Sequence, residues 1–141
     1  MELTGRDFDR IPRENLRVPV REFARLWLTA ERRGDALAAE GRGDWYLVGV
    51  QVTCRWLACS FVTFNYPTGE VRERAQAPIT RTTKKAHEEL VAAEAEAAER
   101  AVARGGLRDR PGFAEGALAT LWWAWRRSGV PPIEAEQAQA G

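Results

Sequence analysis

From Phe23 to Leu37 apolar side chains recur at helical spacing: Phe23, Leu26, Trp27, Ala30 and Leu37 share one stripe, with Glu22, Arg25, Arg32 and Arg33 mostly opposite. The pattern predicts a helix from Pro19, whose missing amide donor costs nothing in a first turn, to about Glu40. Gly41-Arg42-Gly43-Asp44 breaks it, and Asp44 is placed to cap a following helix. A stretch dense in alanine and glutamate, from Thr82 or Thr83 to about Arg104, predicts another, since both residue types favour helix. Gly105-Gly106 ends it, and Arg108-Asp109-Arg110-Pro111 opens a last helix through Arg127. Residues 65–81 read as an irregular linker, because Asn65-Tyr66-Pro67-Thr68-Gly69 is turn chemistry and Pro78 bars a helix. Residues 1–16 read as a flexible polar arm interrupted by Pro12, and residues 129–141 as a loose tail.

Residues 45–60 carry two patterns. Val48, Val50 and Val52 alternate with Gly49, Gln51 and Thr53, which is strand spacing and supports an α+β alternative with a strand at 45–53. An internal comparison favours helix. Sliding the chain on itself by 67 residues lays Tyr46 on Phe113, Gly49 on Gly116, Thr53 on Thr120 and Trp56 on Trp123. The same offset lays Glu22 on Glu89, Phe23 on Leu90 and Arg33 on Arg100.

The expected fold is therefore all-α: two pseudo-repeated helical hairpins, 17–64 and 82–128, joined by the 65–81 linker in one four-helix bundle-like domain over 17–128. Each hairpin pairs an amphipathic outer helix with a nearly all-apolar inner one. Small residues four apart let helix backbones approach closely, so the inner helices are expected to cross at Gly49, Thr53 and Trp56 against Gly116, Thr120 and Trp123.

Composition narrows the function classes. The chain has 141 residues with 21 basic and 20 acidic side chains, which suits one domain and gives no global attraction to nucleic acid or anionic lipid. All the basic residues except Lys84 and Lys85 are arginines, a bias that codon usage or selection for guanidinium forks would equally produce. The start lacks the apolar core of a secretory signal. The apolar run from Trp45 to Phe64 has near-spanning length, but Arg55 at its centre would cost roughly 2.5–3.5 kcal/mol in a bilayer. A cytoplasmic location without membrane contact is the expectation.

No constellation of catalytic or metal-ligating residues stands out. Cys54 and Cys59 are five apart and match neither zinc nor redox spacing. His87 precedes Glu88 and Glu89 without a serine or cysteine nucleophile nearby, and its segment lacks the second histidine of a zinc-protease helix. No cofactor is expected. Arg55 in the apolar middle and Glu115 in the last helix are candidates for a buried ion pair or a ligand contact. Trp122 and Trp125 share a helix face beside Arg126 and Arg127, the composition of an interface hot spot. Arg6, Arg10, Arg13, Arg17, Arg21 and Arg25 recur every three or four residues, interleaved with acids, as in an arm that docks on a partner. Glu88, Glu89, Glu94, Glu96 and Glu99 are expected on the solvated face of their helix.

The leading expectation is a non-enzymatic helical module that self-associates or docks on a larger protein assembly. Two alternatives remain: an accessory nucleic-acid binder using the arginine-rich arm and loops, or a ligand-binding bundle or enzyme with a pocket around Arg55.

Overall fold

A computed structural model of the chain describes residues 1–136. It is helix-rich with one small sheet: α1 (Gly5–Asp9), a 3-10 turn (Arg13–Asn15), α2 (Val20–Ala39), α3 (Trp45–Leu57), β1 (Phe61–Tyr66), β2 (Gly69–Arg74), α4 (Glu88–Ala103) and α5 (Phe113–Ala124). The strand alternative at 45–53 does not form. Asp44 accepts hydrogen bonds from the amides of Tyr46 and Leu47 and starts α3 instead.

The pair α3 and α5 makes the most extensive helix contact, with α2 packed on α3 and α4 on α5. Each inner helix gives up side-chain volume where the other approaches. A Cβ on Gly49 would overlap the Phe113 carbonyl oxygen, and one on Gly116 would overlap that of Tyr46. Thr53 and Thr120 each donate their hydroxyl to the glycine carbonyl one turn earlier, at 2.7 and 2.8 Å. The two inner tryptophans lie buried at the ends of this contact. Trp123 stacks on Phe23 of α2, ring centroids 6.5 Å apart, and the Trp56 indole donates to the Lys84 carbonyl ahead of α4.

Three boundaries depart from the expectation. First, α3 stops at Leu57, and the run to Phe64 is not helical. Cys59 adopts a left-handed backbone (φ 54°) that turns the chain out, and the β-branched and aromatic residues beyond it form β1. The linker assigned to 65–81 is half ribbon: β1 pairs antiparallel with β2, Phe61 opposite Arg74 and Tyr66 opposite Gly69, around the two-residue loop Pro67-Thr68.

Second, the arm at 1–16 is docked rather than flexible. Its sparse apolar residues anchor it: Ile11 and Leu16 are buried, and Phe8 meets Trp27 edge-on. The Asn15 amide donates to the carbonyls of Leu57 and Ala86, tying the end of α3 to the approach of α4. Third, the described part of the tail is pinned. Tyr46 Oη donates to Pro132, Arg33 to the Glu134 carbonyl, and the Glu136 amide to Thr29 Oγ1. The rest of that segment, 137–141, lies outside the described residues.

Candidate functional site

Arg55 lies in the last turn of α3 and lines clefts on both sides of the ribbon. Its guanidinium does not meet Glu115, as the sequence suggested. It meets Glu31 of α2 through two parallel bonds, Nε to Oε2 at 3.0 Å and Nη2 to Oε1 at 2.8 Å. The Arg55 side chain is 22% exposed and that of Glu31 1%. Gln51 donates to the same Glu31 Oε1 at 2.9 Å, in the space opened by Gly34. The reason for the exchange of partner is rotational: α3 presents Gln51 and Arg55 to α2, whereas Glu115 faces Gly106. Glu115 Oε1 is buried without a hydrogen-bond partner among the described residues.

A second buried acid was expected on a solvated face. Glu94 of α4 accepts from the amides of Ile79 and Thr80 at 2.6 and 3.0 Å and from Thr80 Oγ1 at 2.7 Å, so it holds the segment after the ribbon against α4. Both acids lie on the apolar stripes of their helices. Glu31 follows Trp27 by four, and Glu94 sits between Val91 and Ala98. That placement was the available sign of burial.

The ribbon leaves this core with two different faces. Phe61, Thr63, Arg72 and Arg74 share one by register, and Val62, Phe64, Tyr66 and Val71 share the other. Phe64, Tyr66 and Val71 are exposed large apolar residues, as is Trp45 at the start of α3. Beneath the apolar face run two adjoining cavities of about 180 and 240 Å³ that have Val52 and Gln76 in common. Together they make a groove floored by Val48, Val52 and Val62 and flanked by Arg55, Arg81 and Arg110, with Glu73 as the acid of its lining and Arg74 at its edge. On the polar face, Arg72 and Arg74 lie over the Phe61 ring at 5.4 and 5.1 Å. There a separate cleft of about 670 Å³ opens between the ribbon, Arg55 and the docked amino-terminal segment.

The tryptophan–arginine cluster at the end of α5 is engaged within the chain. The Trp122 indole donates to Glu99 at 3.1 Å, and Arg126 pairs with the same carboxylate. Trp125 is covered by the Arg17 guanidinium, 4.0 Å from its ring centroid. Arg127 is exposed in a left-handed conformation, and Trp122 keeps 39% of its surface accessible.

Chemically reactive groups are subdued. Burial pushes the Cys54 thiol far above its ordinary range, the Glu31 carboxylate adding to the effect and Arg55 opposing it. Burial also raises the thiol of Cys59 and, with the Asp44 charge, the phenol of Tyr46. His87 is exposed at the amino-terminal cap of α4. Among the described residues no group of three His, Cys, Asp or Glu side chains gathers to hold a metal ion, and no helix is long and apolar enough to cross a membrane. No protein-family model, no curated protein and no solved structure matches the chain.

Proposed function

We propose that the chain is a non-enzymatic interaction module that docks on a larger protein assembly through the β1–β2 ribbon and the groove beneath it. In this reading the body is a four-helix bundle-like pair of pseudo-repeated hairpins, and the ribbon is the element added for contact. The reciprocal fit of Gly49 to Phe113 and Gly116 to Tyr46, positions related by the 67-residue offset, supports the duplication.

One observation carries the contact assignment. A two-stranded ribbon is marginal in water unless its apolar face is covered, yet this one leaves Phe64, Tyr66 and Val71 exposed beside Trp45. The flanking arginines define the occupant. Arg81 and Arg110 have no carboxylate partner among the described residues and outweigh Glu73 in the lining, so the groove suits a partner segment alternating acidic and apolar side chains. An extended segment could also pair with a free ribbon edge, adding backbone hydrogen bonds. The Trp122, Trp125, Arg126 and Arg127 cluster is the subsidiary candidate, since Glu99 and Arg17 already occupy much of it.

The test is fluorescence anisotropy with a labelled peptide of alternating glutamate and valine, and with its glutamine counterpart. The reading expects the glutamate peptide to bind more tightly, and Phe64→Ser or Arg110→Gln to weaken it tenfold or more. Equal binding by wild type and both variants would overturn it. A stable dimer by light scattering that Phe64→Ser dissociates would replace the partner with a second copy. A salt-steep gel shift on single-stranded nucleic acid would replace it with that ligand.

A further inference from the structure

On the polar side of the ribbon, the cleft beside Arg55 narrows to a recess that reaches Ser60 at the end of the turn from α3 into β1. Arg10, Arg72 and Asp7 line both the cleft and the recess, and Arg6, Arg55 and one further acid, Glu2, line the cleft alone. Three features set this place apart. Arg6, Arg10 and Arg72 have no ion-pair partner among the described residues, whereas Arg55 is already neutralised by Glu31. The one carboxylate in the recess, Asp7, is turned to its own helix start, accepting from the Thr4 amide at 2.7 Å and from Thr4 Oγ1 at 3.1 Å. Ser60 lines the recess and is 8% exposed, and its buried hydroxyl has no hydrogen-bond partner among the described residues.

A buried hydroxyl without a partner costs roughly 1–3 kcal/mol, which a ligand oxygen would relieve. Arg10 and Arg72 in the same lining favour a compact anion with several acceptor oxygens. The recess holds only about 10 Å³, room for one oxygen. We propose that a phosphate group binds at its mouth, one oxygen entering to accept from the Ser60 hydroxyl and the others pairing with Arg10 and Arg72. The cleft is much larger than a phosphate ion, so the ligand class is a small phosphomonoester whose body lies toward Thr63 and Arg55. The cleft shares Arg55 and Val62 with the partner groove, but the recess at Ser60, Arg10 and Arg72 lies outside that groove and does not depend on it.

The experiment is isothermal titration of the whole chain with inorganic phosphate and with phenyl phosphate, against sodium chloride at matched ionic strength. Binding is expected for both anions, tighter for phenyl phosphate. Ser60→Ala removes an unpartnered hydroxyl, so it should leave the thermal midpoint unchanged or higher while weakening phosphate binding at least fivefold. Arg72→Gln should weaken it about tenfold, and Arg104→Gln, at an exposed position at the far end of α4, should not. Tighter inorganic phosphate than phenyl phosphate would overturn the phosphomonoester assignment in favour of the free ion. Equal affinity in wild type, Ser60→Ala and Arg72→Gln, or heat no different from the salt control, would overturn the site.

Discussion

Gly49 rests against the carbonyl oxygen of Phe113, and its counterpart Gly116 against that of Tyr46. Each glycine thus meets the first turn of the opposite helix, so α3 and α5 approach through backbone rather than side chains. Such contact fixes the crossing point, because the backbone at both sides is held in its own helical ladder.

Gly49→Ala and Gly116→Ala should destabilise the chain by about 1–3 kcal/mol in urea unfolding, despite a gain of about 1 kcal/mol in helix propensity. Gly34→Ala provides the contrast. The obstacle there is only the amide end of Gln51, a side chain free to move, so the loss should be smaller. Similar losses at all three positions would show that the inner-helix crossing is not the tight contact.

Arg55→Leu should cost about 3 kcal/mol or more, because it leaves the buried Glu31 carboxylate with Gln51 alone. Arg55→Lys should recover only part of this, since an ammonium cannot form the two parallel bonds. Replacing Glu31 and Arg55 together by methionine should restore most of the stability, which chemical denaturation of the three variants would measure.

The chain should lose stability as pH climbs above the ordinary thiol and phenol ranges. Cys54, Cys59 and Tyr46 all hold their protons more tightly folded than unfolded. Their stabilisation is therefore complete below the unfolded values and fades as pH rises past them. Urea midpoints across the alkaline range would record the slope, and Cys54→Ala should flatten it. In the folded chain at pH 8, a thiol reagent should label Cys59 slowly and Cys54 only after unfolding.

The helices were legible because their signals are local. Asp44 is a capping side chain, the glycines at 105–106 a stop, and the alanine-rich stretch of α4 a strong former. The Gly49 and Gly116 pattern was legible as spacing. What escaped was set by tertiary context. The ribbon begins where Cys59 turns the chain, and its apolar residues continue the composition of α3, so no polar break announces it. Arg55 pairs with Glu31 rather than Glu115, because partner choice depends on helix rotation, which a sequence stripe gives only coarsely. The amino-terminal segment looked unstructured because its three anchors, Phe8, Ile11 and Leu16, follow no regular period.

The central claim is that a helical body carries the ribbon as an attached contact element. Its two ends are adjacent, since the Ala75 amide donates to the Ser60 carbonyl at 2.9 Å, so a short glycine–asparagine turn can replace residues 61–74 without stretching the chain. The decisive measurement is peptide anisotropy on this shortened chain, alongside its thermal unfolding by circular dichroism. The account predicts a cooperative helical transition within a few degrees of the parent and no detectable binding of the acidic peptide. Undiminished binding by a folded shortened chain, or collapse of the helical signal on excision, would contradict it.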